Sequence, residues 1–142
     1  MQTFLPYNNF QKSAKCLDYK RLGKQRCECW QIYKALTEKE YGWKNHPIVK
    51  MWKGYECALL LYGKEICLEW KRRGYKDTML ERFQNELDIK IKNKQIFRMP
   101  HWLGNYNFHD SHKSNLLRKD FEYYKKYNWE VGTNLDYIWI LE

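Results

Sequence analysis

The chain has 142 residues, with 26 Lys and Arg against 17 Asp and Glu, and a formal net charge of +9 at pH 7. Hydrophobic residues make up 44% and aromatics 18%, including seven Trp and twelve Tyr, which excludes a disordered tail. A chain of this length buries one core rather than two, so a single basic domain spanning 1–142 is expected.

The longest unbroken apolar run, Cys57 to Tyr62, has six residues. Crossing a bilayer takes roughly 20, so no membrane span is expected. The start, MQTFLPYNNF, lacks the charged and apolar regions of a secretory signal, and an intracellular protein is expected. Five cysteines, an odd number without a C-x-x-C pair, argue against a disulfide scaffold or zinc ribbon and read as mostly packed free thiols.

In chain order, a first helix is predicted from about Ser13 or Asp18 to Leu36, with Leu22, Cys29, Ile32 and Leu36 near helical spacing. On its polar face Arg21, Gln25 and Glu28 fall at i, i+4 and i+7 and share one stripe. A second helix opens at Pro47 and carries Trp52, Tyr55, Leu59, Tyr62, Ile66 and Trp70 as a core stripe, with Gly74 as its stop. A third follows an Asp77 cap, with Leu80, Phe83, Leu87 and Ile91 behind it. After Pro100 a loop covers 101–105, and short helices cover His109 to Lys119 and Asp120 to Tyr127. The apolar end, Tyr137-Ile138-Trp139-Ile140, is expected to dock on the helices as a clasp, or else to form an edge strand. The fold class is therefore mainly α, a compact helical bundle of about three main helices plus short C-terminal ones.

The charge is polarised. Lys12 to Lys34 holds seven basic residues and two acids, whereas Asp120 to Glu142 holds two Lys and five acids. A basic excess on one helix, interleaved with Gln, Tyr and Trp, fits a phosphate backbone better than a solvated face. It also fits that partner better than an anionic membrane, because the segment lacks a large apolar face.

Three constellations could carry chemistry. Glu28 stands among Lys20, Arg21, Lys24 and Arg26, as suits a carboxylate that stabilises a cation or shuttles a proton near a sugar. The bland alternative is a Lys24–Glu28 surface pair at i, i+4, worth a few tenths of a kcal/mol. His109 and His112 share a helical face; with His101 they could ligate a metal, but their spacing lacks the Glu of H-E-x-x-H, and Arg118 and Lys119 nearby favour phosphate contact. The third is the chain's own amine. An α-amino group titrates ordinarily near pH 8, against about 10.4 for lysine, and so is the better neutral nucleophile for an opened sugar aldehyde.

Two blocks together resemble the pyrimidine-dimer DNA glycosylase/AP lyase family, of the phage endonuclease V type. Arg21-Leu22-Gly23-Lys24-Gln25-Arg26-Cys27-Glu28 is similar to the family's early helix. His46-Pro47-Ile48-Val49 through Tyr55, Tyr62, Glu69, Arg73-Gly74-Tyr75 and Asp77-Thr78 is similar to its long middle helix, and Pro100-His101-Trp102 to its late Pro-x-Trp element. The block from Phe108 to Lys119 has no counterpart in the phage enzyme, marking a divergent branch whose site could include His109, Ser111, His112 and Arg118.

The resemblance implies excision of a damaged pyrimidine through a Schiff base on the N-terminal amine, then β-elimination, without a metal or other cofactor. Gln2 is bulky and leaves Met1 in place, so Met1 and Glu28 are the implied catalytic pair. Laying Tyr19-Lys20-Arg21-Leu22 on the family's Tyr-Arg-Glu-Leu instead puts Arg21 in the place of its Glu. The implied partner is lesion-bearing double-stranded DNA, kinked with one nucleotide extruded and bound by a monomer. Arg21, Lys24, Gln25, Arg26, His46, His109, His112, Arg118 and Lys119 are the expected DNA contacts. The rival readings are a non-catalytic nucleic-acid-binding module of the same fold and a metal-dependent nuclease built on the histidines.

Overall fold

The computed structural model describes residues 1–141, in which there are seven α-helices, one 3-10 turn and no strand. The expected mainly α architecture is what the chain adopts. Helix α1 spans Phe10–Cys16 and α2 spans Tyr19–Thr37. Asp18 separates them: its backbone is extended and its carboxylate accepts from the Arg21 N–H as the N-cap of α2. Asp18 is thus the start of the early helix, and Ser13 lies in a separate helix capped by Asn9, which accepts from Lys12 at 2.8 Å.

The expected long middle helix is two helices, α3 over Pro47–Trp52 and α4 over Glu56–Arg72. The break includes Gly54 at φ +87°, a left-handed conformation that other residues adopt only under strain. The stripe still forms core across the break, with Trp52, Leu59, Tyr62 and Ile66 all buried, while Tyr55 and Trp70 are half-buried. Helix α4 stops as its sequence requires. Gly74 N–H donates to the Lys71 carbonyl at 2.9 Å, Tyr75 N–H donates to the Trp70 carbonyl at 3.3 Å, and the Tyr75 ring stacks on Trp70 at 4.3 Å. This is a Schellman motif with its apolar contact.

Helix α5 covers Leu80–Lys92, and Asp77 accepts the N–H groups of Met79 and Leu80 at 3.0 and 2.6 Å. Helix α6, Tyr106–Lys119, begins three residues before the expected His109 because Asn105 caps it, accepting from Phe108 at 3.1 Å. Helix α7, Phe121–Tyr124, runs into a 3-10 turn at Lys125–Tyr127. Beyond it the apolar end docks on α6. Ser114 Oγ accepts the Leu135 N–H at 3.0 Å, Ser111 Oγ accepts the Ile138 N–H at 3.2 Å, and Asn115 donates to the Leu135 carbonyl at 3.1 Å. The cysteines are free, with only Cys27 exposed, and burial pushes the Cys16 thiol up to about 12.

The segment that decides the site is the first one. Residues 2–6 are buried. They have no strand partner, so side chains from four helices meet their polar groups. Gln25 on α2 accepts the Phe4 N–H at 3.0 Å and donates to the Gln2 carbonyl at 2.6 Å. Trp52 on α3 donates to Thr3 Oγ1 at 3.0 Å. The Tyr62 hydroxyl on α4 lies 2.6 Å from the Phe4 carbonyl and 2.9 Å from Gln25 Oε1. On α6, His112 Nδ1 accepts the Leu5 N–H at 2.9 Å and His109 Nδ1 lies 2.7 Å from the Leu5 carbonyl.

Candidate active site

This threading delivers Met1 to a cleft of about 420 Å³ walled by Met1, Gln2, Phe4, Lys20, Arg21, Lys24, Gln25, Glu28, Lys119 and Tyr137. Helix α2 supplies one side. Its basic stripe faces the N-terminal segment, and α6 contributes Lys119 from its last turn. Four cations and one acid line the cleft, a field suited to an anionic ligand.

Gln25 is the hub. The residue is fully buried, and its Nε2 donates to both the Gln2 carbonyl and the Glu28 carboxylate, the latter at 3.0 Å. One amide thereby fixes the N-terminal segment and the Glu28 carboxylate relative to each other. Its Oε1 takes the Phe4 N–H, and burial raises the Tyr62 phenol well above its ordinary value, keeping that hydroxyl a donor. Gln2 Nε2, on a residue only 7% exposed in the cleft wall, has no hydrogen-bond partner in the described chain.

Of the residues expected from sequence, the cleft brings together Met1, Glu28, Arg21, Lys24, Gln25 and Lys119. Arg21 is also held by Asp18 at 3.0 Å. Gln25 has no exposed surface, so it acts as a positioning group rather than a DNA contact. His46 lies outside the cleft lining. Its Nδ1 accepts the Ile48 N–H at 3.1 Å as the cap of α3. Desolvation, then the charge of the Met1 ammonium, lowers its pKa.

Four of the expected DNA contacts, Arg26, His109, His112 and Arg118, are engaged elsewhere. Arg26 points away from the cleft. Its Nη1 pairs with Asp77 at 2.7 Å and its guanidinium lies over the Trp70 ring at 4.5 Å, a structural role. His109 and His112 are buried, and their Nδ1 atoms engage Leu5, so they hold the N-terminal segment instead of a phosphate. Burial drives His112 down to about 3, the neutral form that its acceptor role needs. Arg118 bonds the carbonyls of Thr133 and Leu135 and the Asn115 side chain, and so clasps the C-terminal segment. The histidines considered for a metal form no cluster. Among the described residues no group of three or more His, Cys, Asp or Glu side chains is placed to hold an ion, and His101 instead meets the Tyr55 hydroxyl at 2.9 Å.

Sequence reasoning missed Gln2, Phe4 and Tyr137 as cleft residues and kept Lys20 only as a charge. Lys20, Lys24 and Glu28 at i, i+4 and i+8 are a legible stripe. The other three belong to irregular segments without a periodic signal. A scan against protein families matches residues 1–82 to the pyrimidine dimer DNA glycosylases. The chain belongs to this family. Comparison with curated proteins and with solved structures gives no match. The matched region of this pyrimidine dimer DNA glycosylase family member contains α1 to α4 and all the cleft residues except Lys119 and Tyr137. DNA bearing pyrimidine dimers is the substrate class the family implies. Among the described residues no helix is long and apolar enough to cross a membrane.

Proposed function

We propose that this chain is a DNA glycosylase with AP-lyase activity that uses the Met1 amine as nucleophile and Glu28 as its carboxylate. The observation that carries the reading is the single Gln25 amide joining the Gln2 carbonyl to Glu28 inside a cation-lined cleft. The neutral amine attacks C1′ of the damaged nucleotide, the glycosidic bond breaks, and the base leaves with its electron pair and takes up a proton. Loss of the amine proton and opening of the sugar ring give an imine between Met1 and C1′. A base then removes a proton from C2′, and the C3′–O bond breaks with the phosphate as leaving group. Glu28 stabilises the cationic sugar and assists the proton movements. Lys20, Arg21, Lys24 and Lys119 hold phosphates around the lesion.

The test is incubation with dimer-containing or abasic duplex in the presence of borohydride, which reduces the imine to a stable adduct. Mass spectrometry is expected to place that adduct on Met1, and Glu28→Gln is expected to lose cleavage of abasic DNA. Salt-dependent binding without any adduct, together with a Glu28→Gln variant that cleaves like the parent protein, would leave only a binding module.

A further inference from the structure

None of the residues from Ile89 to Met99 lines the cleft, and the end of α5 within this stretch is built unlike the end of α4. Lys94 N–H donates to the Ile91 carbonyl at 3.0 Å and Gln95 N–H to the Lys90 carbonyl at 2.9 Å, the two bonds of a Schellman motif. The left-handed position is occupied by Lys94 at φ +56°, where glycine is the unstrained residue. On α4 the motif is closed by Tyr75 against Trp70; here the equivalent pair is Gln95 and Lys90, and no apolar contact seals the turn.

The side chains around this cap stay in solvent. Ile89, Ile91, Ile96, Phe97 and Met99 are all exposed, Ile96 to 84%. From Ile89 to Met99 there are also four basic residues and no acid. Among the described residues Lys90, Lys92, Lys94 and Arg98 form no ion pair, and the main chain of residues 96–99 makes no hydrogen bond. Arg98 holds the segment against the break between α3 and α4: its guanidinium lies 5.0 Å from the Tyr55 ring and donates to the Gly54 carbonyl at 3.4 Å. A groove of about 300 Å³ results, with Tyr55, Glu56, Lys90, Ile96 and Arg98 in its walls. Unpaired main-chain groups beside exposed apolar side chains make an edge on which another chain can pair.

The charges select the occupant. A second copy of this chain would set these cations against their like. A nucleic acid would satisfy the cations but leave the apolar side chains without a partner. A polypeptide whose carboxylates are interleaved with apolar residues satisfies both, and its main chain can pair with residues 96–99. We propose that the groove and the 96–99 segment form a docking site for an acidic, apolar segment of a partner protein, bound as an added strand. Lys90 and Arg98 meet its carboxylates, and Ile96 meets its apolar side chains. The site stands whether or not the cleft cleaves DNA.

The experiment follows the fluorescence polarisation of a short labelled peptide that alternates Asp or Glu with Leu or Phe, added to the full chain and to its Ile96→Asp and Lys90→Glu variants. The unaltered protein is expected to bind it. Ile96→Asp is expected to weaken binding by roughly 30-fold, the loss of one hot-spot side chain. Replacing the peptide's acids by Asn and Gln is expected to weaken it by about tenfold, and Lys90→Glu to weaken the acidic peptide alone. Ile96 is exposed and outside the core, so its substitution leaves the fold intact, and the variant is expected to bind undamaged duplex as the parent does. Absence of binding, equal binding of the acidic and neutral peptides, or parent affinity in Ile96→Asp overturns the proposal. So does a parent protein that sediments as a dimer while Ile96→Asp is a monomer, because a second copy is then the occupant. Loss of duplex binding in Ile96→Asp overturns it as well, by making the face part of a DNA site.

Discussion

Replacing Gln25 by Leu removes the amide on which the site geometry hangs while keeping side-chain bulk. The Phe4 N–H and the Gln2 carbonyl both lose their partner in a buried setting, and the Glu28 carboxylate loses its donor. Each stranded backbone group costs about 1–3 kcal/mol, so the two together destabilise by about 2–6 kcal/mol. The Phe4 carbonyl keeps the Tyr62 hydroxyl at 2.6 Å and adds nothing to that loss. Against a total stability of about 5–15 kcal/mol, the variant is weakened but testable at low temperature. Urea titration gives the stability change, and single-turnover borohydride trapping on abasic duplex gives the rate. Because a displacement of about 1 Å costs about 100-fold in a positioned reaction, trapping is expected to fall by that order. DNA affinity is expected to change only a few-fold, because Lys20, Lys24 and Lys119 remain. A Gln25→Leu protein that loses less than about 1 kcal/mol and traps at the parent rate refutes the claim that this amide sets the catalytic geometry.

The buried histidines predict an acid-side loss of stability. His112 is held neutral down to about pH 3 in the fold. Unfolded, it takes a proton below about pH 6.5. Stability is therefore insensitive to this group above pH 6.5 and falls below it by up to about 1.4 kcal/mol per pH unit, reaching about 2 kcal/mol at pH 5. Denaturation midpoints measured from pH 7 to 5 check this, and His112→Asn, with an oxygen to accept from Leu5 but no proton to gain, is expected to flatten the slope. Lys24→Ala and Lys119→Ala are each expected to reduce the slope of log affinity against log salt by about one. Arg118→Ala is expected to leave that slope unchanged and to lower the melting temperature instead, because its guanidinium clasps Thr133 and Leu135. Gly63→Ala places a Cβ 2.3 Å from Phe83 Cε1 between α4 and α5 and is expected to cost about 1–3 kcal/mol by denaturant titration.

Helical parts of the molecule were legible because their signals are local. Asp18 announces α2 through a cap, Gly74 announces the end of α4, and the Trp52-to-Ile66 stripe announces a core face even across a break. The break itself was hidden, since Lys53-Gly54-Tyr55 interrupts a hydrophobic period without changing it and only the positive φ at Gly54 reveals the turn. The site divides along the same line. Glu28, Lys24 and Arg21 lie on a periodic helix, and charge plus spacing found them. What Gln25, His109 and His112 do depends on a segment with no period at all, whose partners come from 21 to 107 residues away. From sequence, a histidine beside Arg118 and Lys119 looks the same whether it faces a phosphate or a buried peptide; burial alone distinguishes the two.

The threaded first segment also bears on how the molecule matures. Leu5 is among the first residues made, yet the imidazoles that grip it are 104 and 107 positions later. The peptide at Leu5 cannot be seated until α6 has been synthesised and folded. An incomplete chain can already carry the basic helix and its affinity for polyanions, but it lacks the seat that aims its leading residues into the cleft. Assembly of the cleft around Met1 is therefore deferred until α6 is in place.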